Sequence, residues 1–353
     1  MSHRLWIAVG FLAVVALTPV AGQAPKATSK TAAKTRANSP AVAKTPWGDP
    51  DLQGVWNDST STPLQRPDAV GGKDVLTDAE AAEFQEQLAD NLSRDRRDGG
   101  AEADVGRAYN EHWMDARHLK IADRRTSLIV DPPDGRIPPL VPLPPDRAQA
   151  KAARAAAAAR FNAGLPDSFR DATLPFRCII RTDSPPYLPI VYNNDLQIFQ
   201  SPGFVVIAPE MIHSARVIPL AGSPHLGKRL HQWLGDSRGH WEGATLVVET
   251  TNFRTDPGVV FQDANPETYR ITERFTRVSA TTLNYEFTVE DPQTWTRPWT
   301  AMIPWQKIDP AEQMYEYACY EDNYDVSHFL GGAREREKRG EVAQPIPRLP
   351  SVQ

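Results

Sequence analysis

A carboxylate stands out of place in the segment Tyr269–Val278. Tyr269, Ile271, Glu273 and Phe275 alternate with Arg270, Thr272, Arg274 and Thr276. After a short loop, Leu283, Tyr285, Phe287 and Val289 alternate with Asn284, Glu286, Thr288 and Glu290. Period-two alternation marks strands with one dry and one wet face. Pairing Arg277 with Leu283 sets Arg274 against Glu286, Thr272 against Thr288 and Arg270 against Glu290, the cross-strand pairs a wet face prefers. A slip of two residues loses both charge pairs. The same register puts Glu273 on the dry face, opposite Phe287 and diagonal to Tyr285. Burying an unpaired carboxylate is costly, so Glu273 is either partnered or protonated. A structural partner would be an arginine from elsewhere, such as Arg125 or Arg177. A protonated Glu273 would line a cavity and serve as general acid or base with Tyr285 beside it.

Two further groups could join that chemistry. His213 falls in Met211–Ile218, which reads as a strand. Its alternation partners Met211, Ala215 and Val217 are the more apolar set, so His213 is expected inward as a candidate base. Arg216 is then expected outward with Glu210 and Ser214. Trp295, Arg297 and Trp299 share one face if their segment is extended, making a stacking and cation–π surface for a sugar ring or an aromatic ligand. The structural alternative is packing around a stacked arginine, and Pro298 confines the segment to an edge or a mouth.

Other chemistries are not supported. His225, His231, His240 and Asp236 lack a familiar metal-ligand spacing, so no metal is expected. Ser237 has His231 and Asp236 nearby but no nucleophile elbow. The chain has no Walker loop, dinucleotide fingerprint or HExxH helix, so no cofactor is expected. The net charge of −5 is weakly acidic and argues against a nucleic-acid partner.

The elements that must hold these residues are mostly strands. Short runs with strand patterning follow one another from about residue 177: Leu196–Gln200, Phe204–Ala208, Met211–Ile218, Thr245–Phe253, Tyr269–Val278, Leu283–Asp291, Thr296–Ile303 and Met314–Tyr320. Short connections suggest an antiparallel meander closed, or half closed, as a barrel. The block 235–243 reads as a tight turn feeding the strand from Thr245. Before the strands come a short strand at Leu52–Trp56, a helix from the Thr77/Glu80 capping box to about Leu92, a loop over Ser93–Ala103 and a helix over Val105–Lys120. A short strand at Thr126–Val130, a turn at Asp131–Gly135 and an Ala-rich helix over Arg147–Asn162 complete that half. The fold class expected is therefore mainly β, a barrel or half barrel wrapped by an N-terminal segment with two or three helices.

The start of the chain sets the compartment. Arg4, the apolar run Leu5–Val20 and the small residues Val20-Ala21-Gly22 read as a signal peptide cleaved after Gly22. The run is shorter than the ~20 residues a spanning helix needs, so no transmembrane segment is expected after cleavage. Cleavage removes only Arg4 among the charges, leaving −6. The basic, acid-free stretch 23–44 cannot bury enough apolar surface to fold and reads as a tether. The organisation expected is signal 1–22, tether 23–44, wrapping segment 45–175, β domain 176–333 and tail 334–353. Cys178 and Cys319 in an exported chain favour a disulfide; the alternative is two separately buried thiols.

The blocks RRTSLIVDPPDGRIPPL from Arg124, YNNDLQIFQ, QWLGDSRGHWEG-TLVVETTNF, ERFTRV, YEFTVEDPQTWTRPWTA and YEYAC resemble a family of exported bacterial proteins of unknown function. The resemblance covers roughly residues 45–333. It implies that both cysteines sit in family blocks, RCII and YAC, and implies nothing about a substrate. Where such members carry an acid before the threonine of TLVVET, this chain has Ala244, a departure that puts an essential acid at that turn in doubt.

Two functions fit these residues. One is a periplasmic or secreted, cofactor-independent acid–base enzyme acting on a small sugar-like or aromatic molecule in a barrel cavity, with Glu273, Tyr285 and His213 catalytic. The other is a non-catalytic binder of a small apolar or aromatic ligand in the same cavity. Both take a small molecule as partner; the sequence sets no oligomeric state.

Overall fold

The computed structural model describes residues 43–92, 100–101, 123–190 and 192–340. The expected signal peptide, nearly all of the tether, the helix over Val105–Lys120 and most of the loop before it lie outside the described residues, as does the tail beyond 340. Among the described residues no helix is long and apolar enough to cross a membrane.

Ten strands form one antiparallel sheet, a nearly closed barrel. They are β1 (Gly54–Asn57), β2 (Ile129–Asp131), β3 (Asp195–Ser201), β4 (Phe204–Pro209), β5 (Arg216–Pro219), β6 (Asp236–Glu242), β7 (Thr245–Thr251), β8 (Arg270–Arg277), β9 (Thr282–Glu290) and β10 (Trp299–Lys307). Their order is β5-β4-β3-β1-β10-β9-β8-β7-β6, with β2 paired to β10. Two meanders, β3–β5 and β6–β10, are thus joined by β1, which pairs with β3 on one side and β10 on the other. The expected barrel is present, but residues 54–57 are part of its wall rather than of its wrapping. A four-residue strand carries too little pattern to announce a central position.

The end strands β5 and β6 meet by packing. A Cβ at Gly239 on β6 would stand 2.9 Å from Ile218 Cγ2 on β5 and 2.8 Å from Leu220 Cδ2. Only glycine allows that approach without displacing both side chains. Among the described residues β5 and β6 share no ladder.

The β8–β9 hairpin has the register that the charge pattern predicts. Arg270 faces Glu290, Thr272 faces Thr288, Arg274 faces Glu286 and Arg277 faces Leu283. The guanidinium groups nevertheless reach the other way, Arg274 to Glu242 at 2.8 Å and Arg270 to Glu249 at 3.1 Å. Opposite charges in the sequence chose the register correctly because all four carboxylates lie on the same wet face. Ile271, Phe275, Leu283, Tyr285, Phe287 and Val289 fill the dry face with Trp56, Trp299 and Trp305.

Among the described residues three α-helices accompany the barrel: α1 (Asp78–Leu92), α2 (Pro145–Asn162) and α3 (Asp325–Lys338). The capping box forms as expected: the Thr77 N–H donates to Glu80 Oε2 at 2.9 Å and the Glu80 N–H to Thr77 Oγ1 at 3.2 Å. Phe161 of α2 packs on Phe329 of α3, centroids 4.5 Å apart. Cys178 and Cys319 form a disulfide, Cα–Cα 5.6 Å, which anchors the chain leading into α3.

Three local readings are corrected. Met211–His213 is a 3-10 turn, and strand pairing resumes only at Arg216. The turn breaks the period counted from Met211, so Arg216 points inward at 3% exposure while Val217 is 54% exposed. Residues 236–242 of that block 235–243 are strand β6, and the turn is left to Gly243, at φ +62°, and Ala244. Met314–Tyr320 is irregular, and Tyr315 and Tyr320 are exposed.

Candidate functional site

Glu273 is fully buried on β8, as its register requires. Its partner is Arg216 of β5, from across the barrel, and not Arg125 or Arg177. Arg216 Nη2 donates to Glu273 Oε1 at 3.1 Å, and Nη1 lies 2.9 Å from Oε2. The Tyr285 hydroxyl donates to the same Oε1 at 2.9 Å and accepts the Tyr187 backbone N–H at 3.1 Å. The Tyr187 ring lies against Arg216, 5.1 Å from guanidinium carbon to centroid. Arg125 instead pairs with Asp123 and donates to the Met302 carbonyl, and Arg177 lies over Phe169.

The electrostatics of this network follow from burial and charge. Burial opposes the Arg216 charge, but the Glu273 carboxylate, with Tyr187 and Tyr285, outweighs it and holds the guanidinium above its ordinary value. Burial, then the Glu273 charge, push the Tyr285 hydroxyl well above 10.0. Burial also raises Tyr187. Both carboxylate oxygens face a guanidinium and one also holds a phenol, so the charge is neutralised where it stands. A buried pair of this kind is costly to break, about 3–5 kcal/mol when one partner is removed.

The remaining sequence candidates are scattered. His213 lies in the 3-10 turn ahead of β5. Trp295 and Trp299 are both core, centroids 6.0 Å apart and edge-on, with Phe261 against both. Arg297 points away from them, is half exposed and pairs with Asp131 at 2.6 Å. The three do not share a face, because 292–297 is a turn and not a strand. Their indole N–H groups make no hydrogen bond among the described residues, consistent with rings placed for packing. His225 is clasped by Asp236 at 2.8 Å and Glu249 at 3.1 Å, and Ser237 bonds Thr250 at 3.0 Å, so no triad forms. Among the described residues no group of three ligand-type side chains could hold a metal ion.

A different place has the shape of a ligand site. The loop that carries Tyr187 into the core also walls a cleft of about 380 Å³. Pro185, Pro186 and Leu188 face Val259, Val260 and Phe261 across it, with Arg181 at its edge. A second cleft, of about 640 Å³, lies along the disulfide and is lined by Phe176, Tyr317, Glu321, Asp322 and Asp325. Arg181 lines both clefts. Its guanidinium donates to the Tyr192 hydroxyl and stacks on that ring, 4.9 Å to the centroid. The first cleft has a volume within the roughly 300–1,000 Å³ of small-molecule sites, whereas the second is lined mainly by polar and charged side chains. Sequence reasoning missed Arg181 because an arginine in an aperiodic Pro-Pro loop carries no pattern; the nearby Cys178 was the one available signal. No family model, curated protein or solved structure matches this chain.

Proposed function

We propose that this protein is a non-catalytic, exported binder of a small apolar or aromatic molecule, held in the cleft between residues 181–188 and 258–262. The observation that carries this reading is the lining of that cleft: six apolar side chains with Thr182, Ser184 and Gln262 and, among the described residues, one exposed cation, Arg181. Phe261 connects its wall to Trp299 in the core, so a ligand ring stacked there continues the packing of the barrel. Acid–base chemistry at Glu273 has less support. Its carboxylate is fully buried and held by Arg216 and Tyr285, and the barrel interior around it is filled by aromatic rings. Export is supported by the apolar leader and by the disulfide, which suits an oxidising compartment. The test is a heteronuclear NMR titration with indole and benzyl alcohol. Shifts concentrated at 181–188 and 258–262 are expected. Shifts centred on Glu273 and Tyr285 would restore the enzyme reading, and no shifts at all would remove the binding one.

A further inference from the structure

Resting on that binding reading, we infer that Arg181 makes the cleft selective for monocarboxylates with an apolar or aromatic body. Arg181 is exposed; its backbone N–H donates to Asp183 Oδ1 at 2.7 Å, but among the described residues its guanidinium forms no ion pair. Among the described residues the exposed Arg124, Arg136, Arg270, Arg297 and Arg334 each pair with a carboxylate, whereas Arg170, Arg181 and Arg229 do not; of these three, Arg181 lines a cleft. Even so, Arg181 is not a freely swinging chain. Stacking on Tyr192 and the hydrogen bond to its hydroxyl fix the guanidinium, so less rotamer entropy is lost when it takes a ligand. A planar guanidinium offers a carboxylate two parallel N–H donors, a geometry that a neutral amide cannot match.

The surroundings set the class. Among the described residues Arg181 is the one charged residue lining the first cleft, whose other walls are apolar apart from Thr182, Ser184 and Gln262. An acid whose body lies against Pro186, Leu188, Val260 and Phe261 therefore reaches one cation and no more. On the other side Glu321, Asp322 and Asp325 line the second cleft, and among the described residues none forms an ion pair with Arg181. They repel a second negative charge, so a dianionic phosphate ester is disfavoured relative to a single carboxylate. Screening weakens that repulsion over about 8 Å at physiological salt, whereas direct bidentate contact is short-ranged and survives.

The experiment compares 3-phenylpropanoate, 3-phenylpropanamide and phenyl phosphate by calorimetry on the full chain and on Arg181→Ala. The acid is expected to bind about five- to tenfold tighter than the amide. That preference should vanish in Arg181→Ala, the acid losing more affinity than the amide. Arg181→Lys should keep part of it, since charge remains without the fork. Equal binding of acid and amide by the parent protein overturns the inference and leaves the cleft reading standing. Tighter binding of phenyl phosphate than of the acid overturns the monocarboxylate class. Binding of none of the three, in a protein that melts normally, removes both readings.

Discussion

Arg216 stacks on Tyr187 and Arg181 on Tyr192, yet the two have opposite circumstances. Arg216 is buried, and its charge is spent on Glu273 at 2.9 Å and on the face of Tyr187. Arg181 is exposed and stacked on Tyr192, and among the described residues its guanidinium meets no carboxylate. Both are stacked on a tyrosine, so the difference lies in what their charge meets. A charge compensated inside a packed core tends to be architecture, since breaking it leaves its partner stranded. A charge fixed at the edge of an apolar cleft is available to a ligand. The two tyrosines, only five residues apart, hold these opposite roles together.

The sharpest way to break that contrast is Glu273→Gln. If the pair is architecture, the variant should lose about 3–5 kcal/mol of stability in denaturant melts at neutral pH, because Arg216 is stranded in the core. A variant as stable as the parent would mean that Glu273 is held for chemistry and that the contrast drawn here is wrong. The double variant Arg216→Met with Glu273→Leu should recover much of the loss, since apolar replacement of a buried pair is often neutral.

How much of this was legible beforehand differs along the chain. Glu273 was placed correctly because eight alternating residues and two charge pairs over-determined one register. Its partner was misjudged because the alternation was carried through Met211–His213, where the backbone turns and the period resets. The Trp295–Trp299 surface failed for a related reason: spacing of two implies one face only in extended chain, and 292–297 is not extended. The disulfide could be anticipated from cysteine count and compartment. The cleft could not, since its walls come from segments more than 70 residues apart with no periodicity in either.

A smaller effect is expected in alkali. Tyr285 and Tyr187 have folded-state values raised above the ordinary 10.0 by burial first and by the Glu273 charge as well. The native state therefore keeps these protons where the unfolded chain gives them up. Their contribution is fully present below pH 10 and is lost as pH climbs toward the raised folded values. Urea midpoints should hold steady up to about pH 9 and fall beyond pH 10. Tyr285→Phe should flatten that fall. A fall of equal steepness in the variant would show that other groups cause it.

The smallest effect sharpens the other half of the comparison. Arg181→Ala should change stability by no more than about 0.5 kcal/mol, the usual range for an exposed side chain outside a network. Thermal melts beside those of Arg216→Ala make the contrast direct. A loss above roughly 2 kcal/mol at Arg181 would place it with the architecture.

The position of β1 has a consequence for the order of assembly. Trp56 of β1 pairs with Leu196 of β3 on one edge and with Lys307 of β10 on the other. A chain is made from its N-terminus, so this strand emerges long before either neighbour exists. Its first edge waits for residues near 196, and its second waits until almost the whole barrel has been synthesised. The two meanders can each zip up locally, but the wall between them depends on a four-residue piece that must be kept unpaired and unaggregated in the meantime. Its shortness is an advantage there, because a brief edge offers little to pair with the wrong strand.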